Sequence, residues 1–374
     1  MNNKIKFAVL GAGNGGQVMA AHLTMMGFKV NLYEHPNFKH VIEPIIKQGG
    51  IYFTSEPRVH LESYFARLNM VTSDLKEAIE GVDIINIIIP AFAHKAFCKE
   101  LAPLLKEGQI VIFHPGYLGS LLLARTLKEV NPKPKIYLAE AQTMLYNARN
   151  KSPAHAWSFG IKKELQLAAF PGKDTKRVVD AINTAFPQYV PARDILETHL
   201  NNFCIVLHPA PTILNAGRVE STKGNYRMYF DGVSESVGRF MEAIDEERLK
   251  VAEKMGLKRF SSQDILKSLY TQYGAKGNTL REVLLNCQNY KTGATPSSLK
   301  FTYISQDAPY GLVPMISLAK RIGIETPYSN VTVQMASYLN EVDYWTEGHN
   351  QEYTDIIQNM NLNEMVKFFQ EGEK

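Results

Sequence analysis

Cysteine is scarce in this chain. Cys98, Cys204 and Cys287 are the three among 374 residues; they are far apart and form no C-x-x-C pair. A disulfide framework and a paired-thiolate zinc knuckle are therefore excluded, and a reducing compartment is favoured. Long apolar runs are also missing. None reaches the ~18 uninterrupted residues that a membrane-spanning helix needs, and the N-terminal run is too short for a signal peptide. Excess charge of one sign is absent too. The 41 basic and 37 acidic residues leave a net charge of +4, and the basic ones are scattered. Neither nucleic acid nor an anionic membrane is implied as a partner. No repeat, low-complexity segment or metal-ligand spacing is found. What is left is a 45% hydrophobic composition, ordinary for a soluble globular protein. The length suits two domains. A cytoplasmic protein is expected.

Chemistry first appears in "IKFAVLGAGNGGQVMAAHLTMMGFKVNLYEH". Residues 5–10 form a continuous apolar run, as in a strand buried on both faces of a parallel sheet. Gly11, Gly13 and Gly16 follow as G-x-G-x-x-G, embedded in "GAGNGG" with Asn14 and Gly15. A helical apolar pattern then runs to Gly27, and "KVNLYE" reads as a second strand ending at Glu34. Gly11 permits the tight turn, Gly13 lets a pyrophosphate approach the backbone, and Gly16 lets helix and strand pack closely. The pyrophosphate would lie on the N–H groups at the helix start. Glu34 stands 18 residues after Gly16, in place to accept hydrogen bonds from a ribose diol. Its charge repels a 2′-phosphate, so NAD(H) is favoured. His35 and Lys39 soften that preference and leave NADP(H) open.

Strands are expected at about 83–89, ending in Pro90, at about 109–113, ending at His114, and near 135–140. Helical segments lie between them. The fold class is thus α/β: a doubly wound parallel sheet with ligands at the carboxyl ends of its strands, so Pro90 and His114 should face cofactor or substrate. A loop histidine that only caps backbone is the competing reading of His114. After about residue 190 the alternation stops. "SESVGRFMEAIDEERLKVAEKMG" puts Val237, Phe240, Met241, Ile244 and Val251 on one stripe, with a charged opposite face. Five further segments read as helices. The expected domains are 1–190, a Rossmann dinucleotide-binding domain, and 191–374, a mostly α-helical substrate domain.

The blocks "EAQTMLYNAR", "HPAPTILNAGRVE" and "DAPYGLVP", in that order behind the fingerprint, resemble the opine dehydrogenases of the octopine/nopaline type. That resemblance implies an NAD(P)-dependent enzyme that reductively joins an amino acid to an α-keto acid. It implies that His208 is the catalytic acid/base and that Asp307 orients it. It also brings Thr143 towards the keto acid. Histidine suits proton transfer near neutral pH, and a carboxylate on its ring fixes the tautomer. By itself, a histidine among apolar neighbours reads as a hydrogen-bonded core residue.

Asn215 and Arg218 have two readings, as caps of the following turn or, for Arg218, as a fork for a substrate carboxylate. In the family pattern an arginine lies five residues before the aspartate and grips the keto-acid carboxylate. Here that position is Thr302, and Gln306 replaces a usual acid. The carboxylate would then fall to Lys300 or Arg218, or the keto acid differs. The expected partners are small molecules, with a homodimer left open. Two alternatives stay open: a dehydrogenase of a simple hydroxy acid, and a dinucleotide-binding sensor without turnover.

Overall fold

The computed structural model describes residues 5–130, 134–291, 295–348 and 350–372. The chain divides into two compact units, 1–195 and 196–374. The first is built on an eight-stranded sheet. Its strands are β1 (Lys6–Leu10), β2 (Lys29–Tyr33), β5 (Met70–Thr72), β6 (Ile84–Ile87), β7 (Ile110–Phe113), β8 (Tyr137–Ala141), β11 (Leu165–Phe170) and β12 (Tyr189–Pro191), in spatial order β12-β11-β8-β7-β6-β1-β2-β5. Strand β1 lies inside the sheet, with Val9 opposite Leu32 of β2 and Asn86 of β6, both parallel. Phe7, Ala8, Val9 and Leu10 are fully buried, which is why this run carries no polar face. The five expected strands are all present. The sheet is not parallel throughout, because β11 runs antiparallel to β8.

A second sheet was not expected. It has four strands, β4 (Tyr64–Ala66), β3 (Ile51–Ser55), β10 (His155–Ile161) and β9 (Tyr146–Ser152), in that order. Its inner face packs on helix Asn14–Met25, the helix of the glycine fingerprint. The strands escape a hydropathy reading because β9 is largely polar, "YNARNKS". One covered face supplies too few apolar residues to mark it.

Every regular element among the described residues of the second unit is helical. The longest helix, Glu235–Lys254, starts on Ser234, whose hydroxyl accepts from the Val237 N–H. Met241, Ile244 and Val251 are buried as the stripe predicts. The buried stripe is not purely apolar. Arg248, four residues after Ile244 and three before Val251 on the same side, is fully buried, donating to Asp245 at 2.8 Å and to the Leu200 and Phe260 carbonyls at 2.9 and 2.6 Å. Its charge and all three nitrogens are thereby partnered, as burial requires. Glu247 accepts from the Tyr328 and Ser329 N–H groups at 2.7 and 2.9 Å and from the Ser329 hydroxyl at 2.6 Å. It thereby caps helix Pro327–Asn340.

Candidate active site

In the first unit the glycine loop joins β1 to helix Asn14–Met25. Gly11 has φ +107°, and a Cβ there would come within 2.3 Å of the Ile88 carbonyl oxygen. A Cβ on Gly16 would come within 1.7 Å of the Gly11 carbonyl oxygen, so helix and strand are as close as backbone allows. At Gly13 a Cβ would meet nothing within 4 Å. The backbone there is open, as a cradle for phosphate must be. No acidic residue occupies the first helical turn, which leaves the positive end of the helix dipole unopposed. A cavity of about 500 Å³ opens beside it, lined by Gly11, Gly13, Glu34, Pro90, Phe38 and Phe92 among others. The residues present therefore fit a dinucleotide.

Glu34 has a structural task besides any ligand. One carboxylate oxygen accepts from the Ala12 N–H at 2.8 Å and the other from the His35 N–H at 2.9 Å. It ties the end of β2 to the glycine loop. Asn14 turns its side chain away, its Oδ1 accepting from the Asn150 N–H at 2.8 Å. Gly15 lies beneath Met144, whose Cε would be 2.5 Å from a Cβ at that position. The "EAQTML" segment therefore sits on the fingerprint, and Thr143, buried beside Met144, belongs to this neighbourhood.

His114 is held by two side chains. Its ring is 1% exposed, with Nε2 3.0 Å from Asn86 Oδ1 and Nδ1 3.3 Å from the Tyr189 hydroxyl. Burial holds its pKa down at about 3. A neutral imidazole that donates to an amide oxygen and accepts from a phenol has no nitrogen left for substrate. It fastens β7 to β6 and β12. Its neighbour in function is Glu140, which the sequence reading did not single out. The Glu140 carboxylate is buried and accepts from the Leu118 N–H at 3.1 Å, the Ser120 N–H at 2.9 Å and the Ser120 hydroxyl at 2.6 Å. Burial pushes its pKa up to about 7, with the Ser120 and Leu118 hydrogen bonds pulling the other way. It organises the loop "HPGYLGS", where Tyr117 and Leu118 both have positive φ.

The second unit contains the histidine–carboxylate pair. His208 lies between helices Cys204–Leu207 and Pro209–Leu214. Pro209 has no N–H and suits the first helical position, so the chain turns at the histidine. His208 Nδ1 is 2.8 Å from Asp307 Oδ2, although the two are 99 residues apart in sequence. The carboxylate is 2% exposed and the imidazole 17%. With the carboxylate accepting at Nδ1, that nitrogen carries the proton and Nε2 the lone pair.

The other expected substrate contacts are less free. Asn215 Nδ2 donates to the Pro211 carbonyl at 2.8 Å and the Gly232 carbonyl at 2.9 Å, and its side chain does not cap the following helix, Ala216–Thr222. Arg218 is exposed; its Nη1 donates to the Asp231 carbonyl at 2.8 Å, and its guanidinium lies 4.7 Å over the Tyr226 ring. Thr302 is exposed at the start of a short helix, Thr302–Ser305. Among the described residues, no cluster of three histidine, cysteine, aspartate or glutamate side chains is placed to hold a metal ion.

Residues 191–340 match the family model for the α-helical domain of NAD/NADP octopine/nopaline dehydrogenase. Residues 6–115 match the N-terminus of NAD-dependent glycerol-3-phosphate dehydrogenase. An opine dehydrogenase of Arthrobacter sp. (strain 1C) is 31% identical over 351 residues, covering 92% of this chain and 94% of that one. The chain belongs to the opine dehydrogenase family.

Two solved structures share the fold. Octopine dehydrogenase with NADH and L-arginine superposes with a TM-score of 0.75 at 18% identity, over 99% of this chain and 98% of that one. Yersinopine dehydrogenase with NADP+ bound gives 0.68 at 11% identity, over 99% of each chain. As an opine dehydrogenase, the protein is an NAD(P)-dependent oxidoreductase acting on CH–NH donors. Its Rossmann-like and helical domains match the α/β-then-helical expectation. Sequence reasoning did not single out Glu140. It opens the block "EAQTMLYNAR", but only packing shows what it touches.

Proposed function

We propose that this opine dehydrogenase joins the amino group of an amino acid to an α-keto acid through an imine, with NADH as the favoured reductant. The observation that carries the reading is the His208–Asp307 pair, held at 2.8 Å in the unit that matches the octopine/nopaline helical domain. The bound nicotinamide supplies the hydride that reduces the imine carbon. Asp307 holds the tautomer that leaves Nε2 as a base. In the oxidative direction Nε2 takes the proton of the secondary amine; in the reductive direction the protonated ring returns it. Gly11, Gly13, Gly15 and Gly16 would receive the pyrophosphate with the N–H groups at the helix start, and Asn14 would brace that turn. Pro90 would wall the cavity and Glu34 would accept from the ribose hydroxyls.

Glu34 supports the preference for NAD(H), since its carboxylate lines the cavity where a 2′-phosphate would come. The relatives cover both cofactors, with octopine dehydrogenase described with NADH and yersinopine dehydrogenase with NADP+. Thr143 and Arg218 are proposed to contact substrate. Thr302 offers a hydroxyl and no charge, so the keto-acid carboxylate must be gripped elsewhere; releasing Arg218 from the Asp231 carbonyl would provide a planar fork. Cys98, Cys204 and Cys287 form no disulfide, which supports a cytoplasmic location. The test is a matrix of amino acids against α-keto acids, following NADH and NADPH oxidation. At least one pair should consume cofactor only when both substrates are present. Oxidation driven by a hydroxy acid alone would favour the simpler dehydrogenase, and no consumption by any pair would refute the opine reading.

A further inference from the structure

Tyr303, the residue after Thr302, lies flat on the imidazole of His208. The ring centroids are 3.7 Å apart and the planes differ by 4°. Two neutral electron-rich rings avoid this near-sandwich, because their negative faces repel; they prefer offset or edge-on contact. Other aromatic pairs nearby do so. Phe301 meets Tyr303 at 5.1 Å and 82°, and Tyr290 meets Tyr229 at 4.7 Å and 68°. A face-on stack at 3.7 Å becomes favourable when one ring carries positive charge, since the partner's π face then attracts it. Behind the stack, the buried Tyr229 phenol is pushed well above its usual range, first by burial and then by Tyr303, Cys204 and Asp307. The groups around the histidine are therefore Asp307 on Nδ1, Tyr303 on one face, and Tyr229 near both.

We propose that Tyr303 is a positioning residue of the reaction. Its ring closes one face of His208, keeps the imidazole in the plane set by Asp307, and stabilises the positive charge that His208 carries after taking the amine proton. The proton moves from the substrate nitrogen to Nε2 and is returned from there, so Tyr303 gains and loses nothing. The inference rests on the acid/base reading of His208.

The test compares Tyr303→Phe, which keeps the π face, with Tyr303→Leu, which removes it. A third variant, Tyr303→pentafluorophenylalanine, keeps the shape and inverts the charge distribution of the ring. The first readout needs no substrate: the long-range 1H–15N spectrum of the His208 ring. Wild type and Tyr303→Phe should show one tautomer, protonated at Nδ1, whereas Tyr303→Leu should show averaged ring signals. With an active substrate pair, Tyr303→Phe should keep kcat within about threefold. Tyr303→Leu and the fluorinated variant should lose roughly ten- to thirtyfold, with KM for NADH unchanged, as expected for a cation–π contact. The proposal is overturned if Tyr303→Leu leaves both spectrum and kcat as they were. It is also overturned if Tyr303→Phe falls as far as Tyr303→Leu, since the hydroxyl and not the face would then matter. Full turnover by His208→Ala would instead refute the acid/base reading, independently of the ring spectrum.

Discussion

At His208 the following residue offers no amide hydrogen, and the local chain is decided by that fact. Pro209 opens the next helix, the His208 carbonyl accepts from the Thr212 hydroxyl at 2.7 Å, and the imidazole is left pointing at Asp307. A base held this way should matter to proton transfer and not to cofactor binding. His208→Ala is expected to lower kcat by about 10²- to 10⁴-fold, with NADH affinity by fluorescence titration within about twofold of wild type. Turnover comparable to wild type would remove His208 from the mechanism. The same reasoning separates His208 from His114. Each opens its block and precedes a proline, yet Asn86 and Tyr189 use both nitrogens of His114.

Two buried carboxylates do their work at the level of elements. Glu247 joins helix Glu235–Lys254 to the first turn of helix Pro327–Asn340 through three hydrogen bonds. Glu247→Ala should cost about 2–3 kcal/mol, since two N–H groups and a hydroxyl lose a charged acceptor; urea unfolding of the purified variant would measure it. Glu140 organises the loop after β7, and its pKa is raised from 4.5 to about 7. A raised acid holds its proton longer in the folded state than in the unfolded one. Its contribution is therefore complete below pH 4.5 and is lost as pH rises through 7. Glu140→Gln cannot titrate. The stability of wild type relative to this variant should fall by roughly 3 kcal/mol between pH 4.5 and pH 8, read as a converging pair of unfolding midpoints. A gap that widens with pH would mean that the Leu118 and Ser120 donors keep the carboxylate ionised after all.

Across the whole molecule the histidines outweigh Glu140. Burial lowers His22 to about 4, His114 to about 3 and His199 to about 4. A depressed histidine contributes fully above its unfolded value of 6.5 and loses that contribution as pH falls towards the folded value. At pH 5 each withdraws on the order of 2 kcal/mol, while Glu140 returns on the order of 3 over the same range. Stability should therefore decline on acidification from pH 7.5 to 5, and thermal unfolding at both ends checks it. A midpoint that rises at pH 5 would refute the buried-neutral assignment. His22 and His114 lie in the first unit and His199 in the second, so both units should weaken.

How much of this was legible beforehand depended on whether a signal was local. The strand carrying Phe7 to Leu10, the turn at Gly11 and Gly13, and the stripe of Met241, Ile244 and Val251 follow from spacing alone, because burial of a strand or helix face imposes a period on adjacent residues. The second sheet left no such trace, since β9 buries only one face and is mostly polar. The stripe on helix Glu235–Lys254 was read from its apolar members alone, because nothing in the spacing shows that Arg248 and Glu247 find partners 48 and 81 residues away.

The same division holds at the site. The chain's own order determined the dinucleotide fingerprint, the presence of a histidine able to move protons, and the absence of an arginine at Thr302. Only the tertiary structure decided that His208 meets Asp307, that Tyr303 covers its face, and that His114 is withdrawn into the core. The physical reason is that hydrogen bonding and ring stacking depend on distances of about 3–4 Å, which packing sets between residues whose separation along the chain carries no such information.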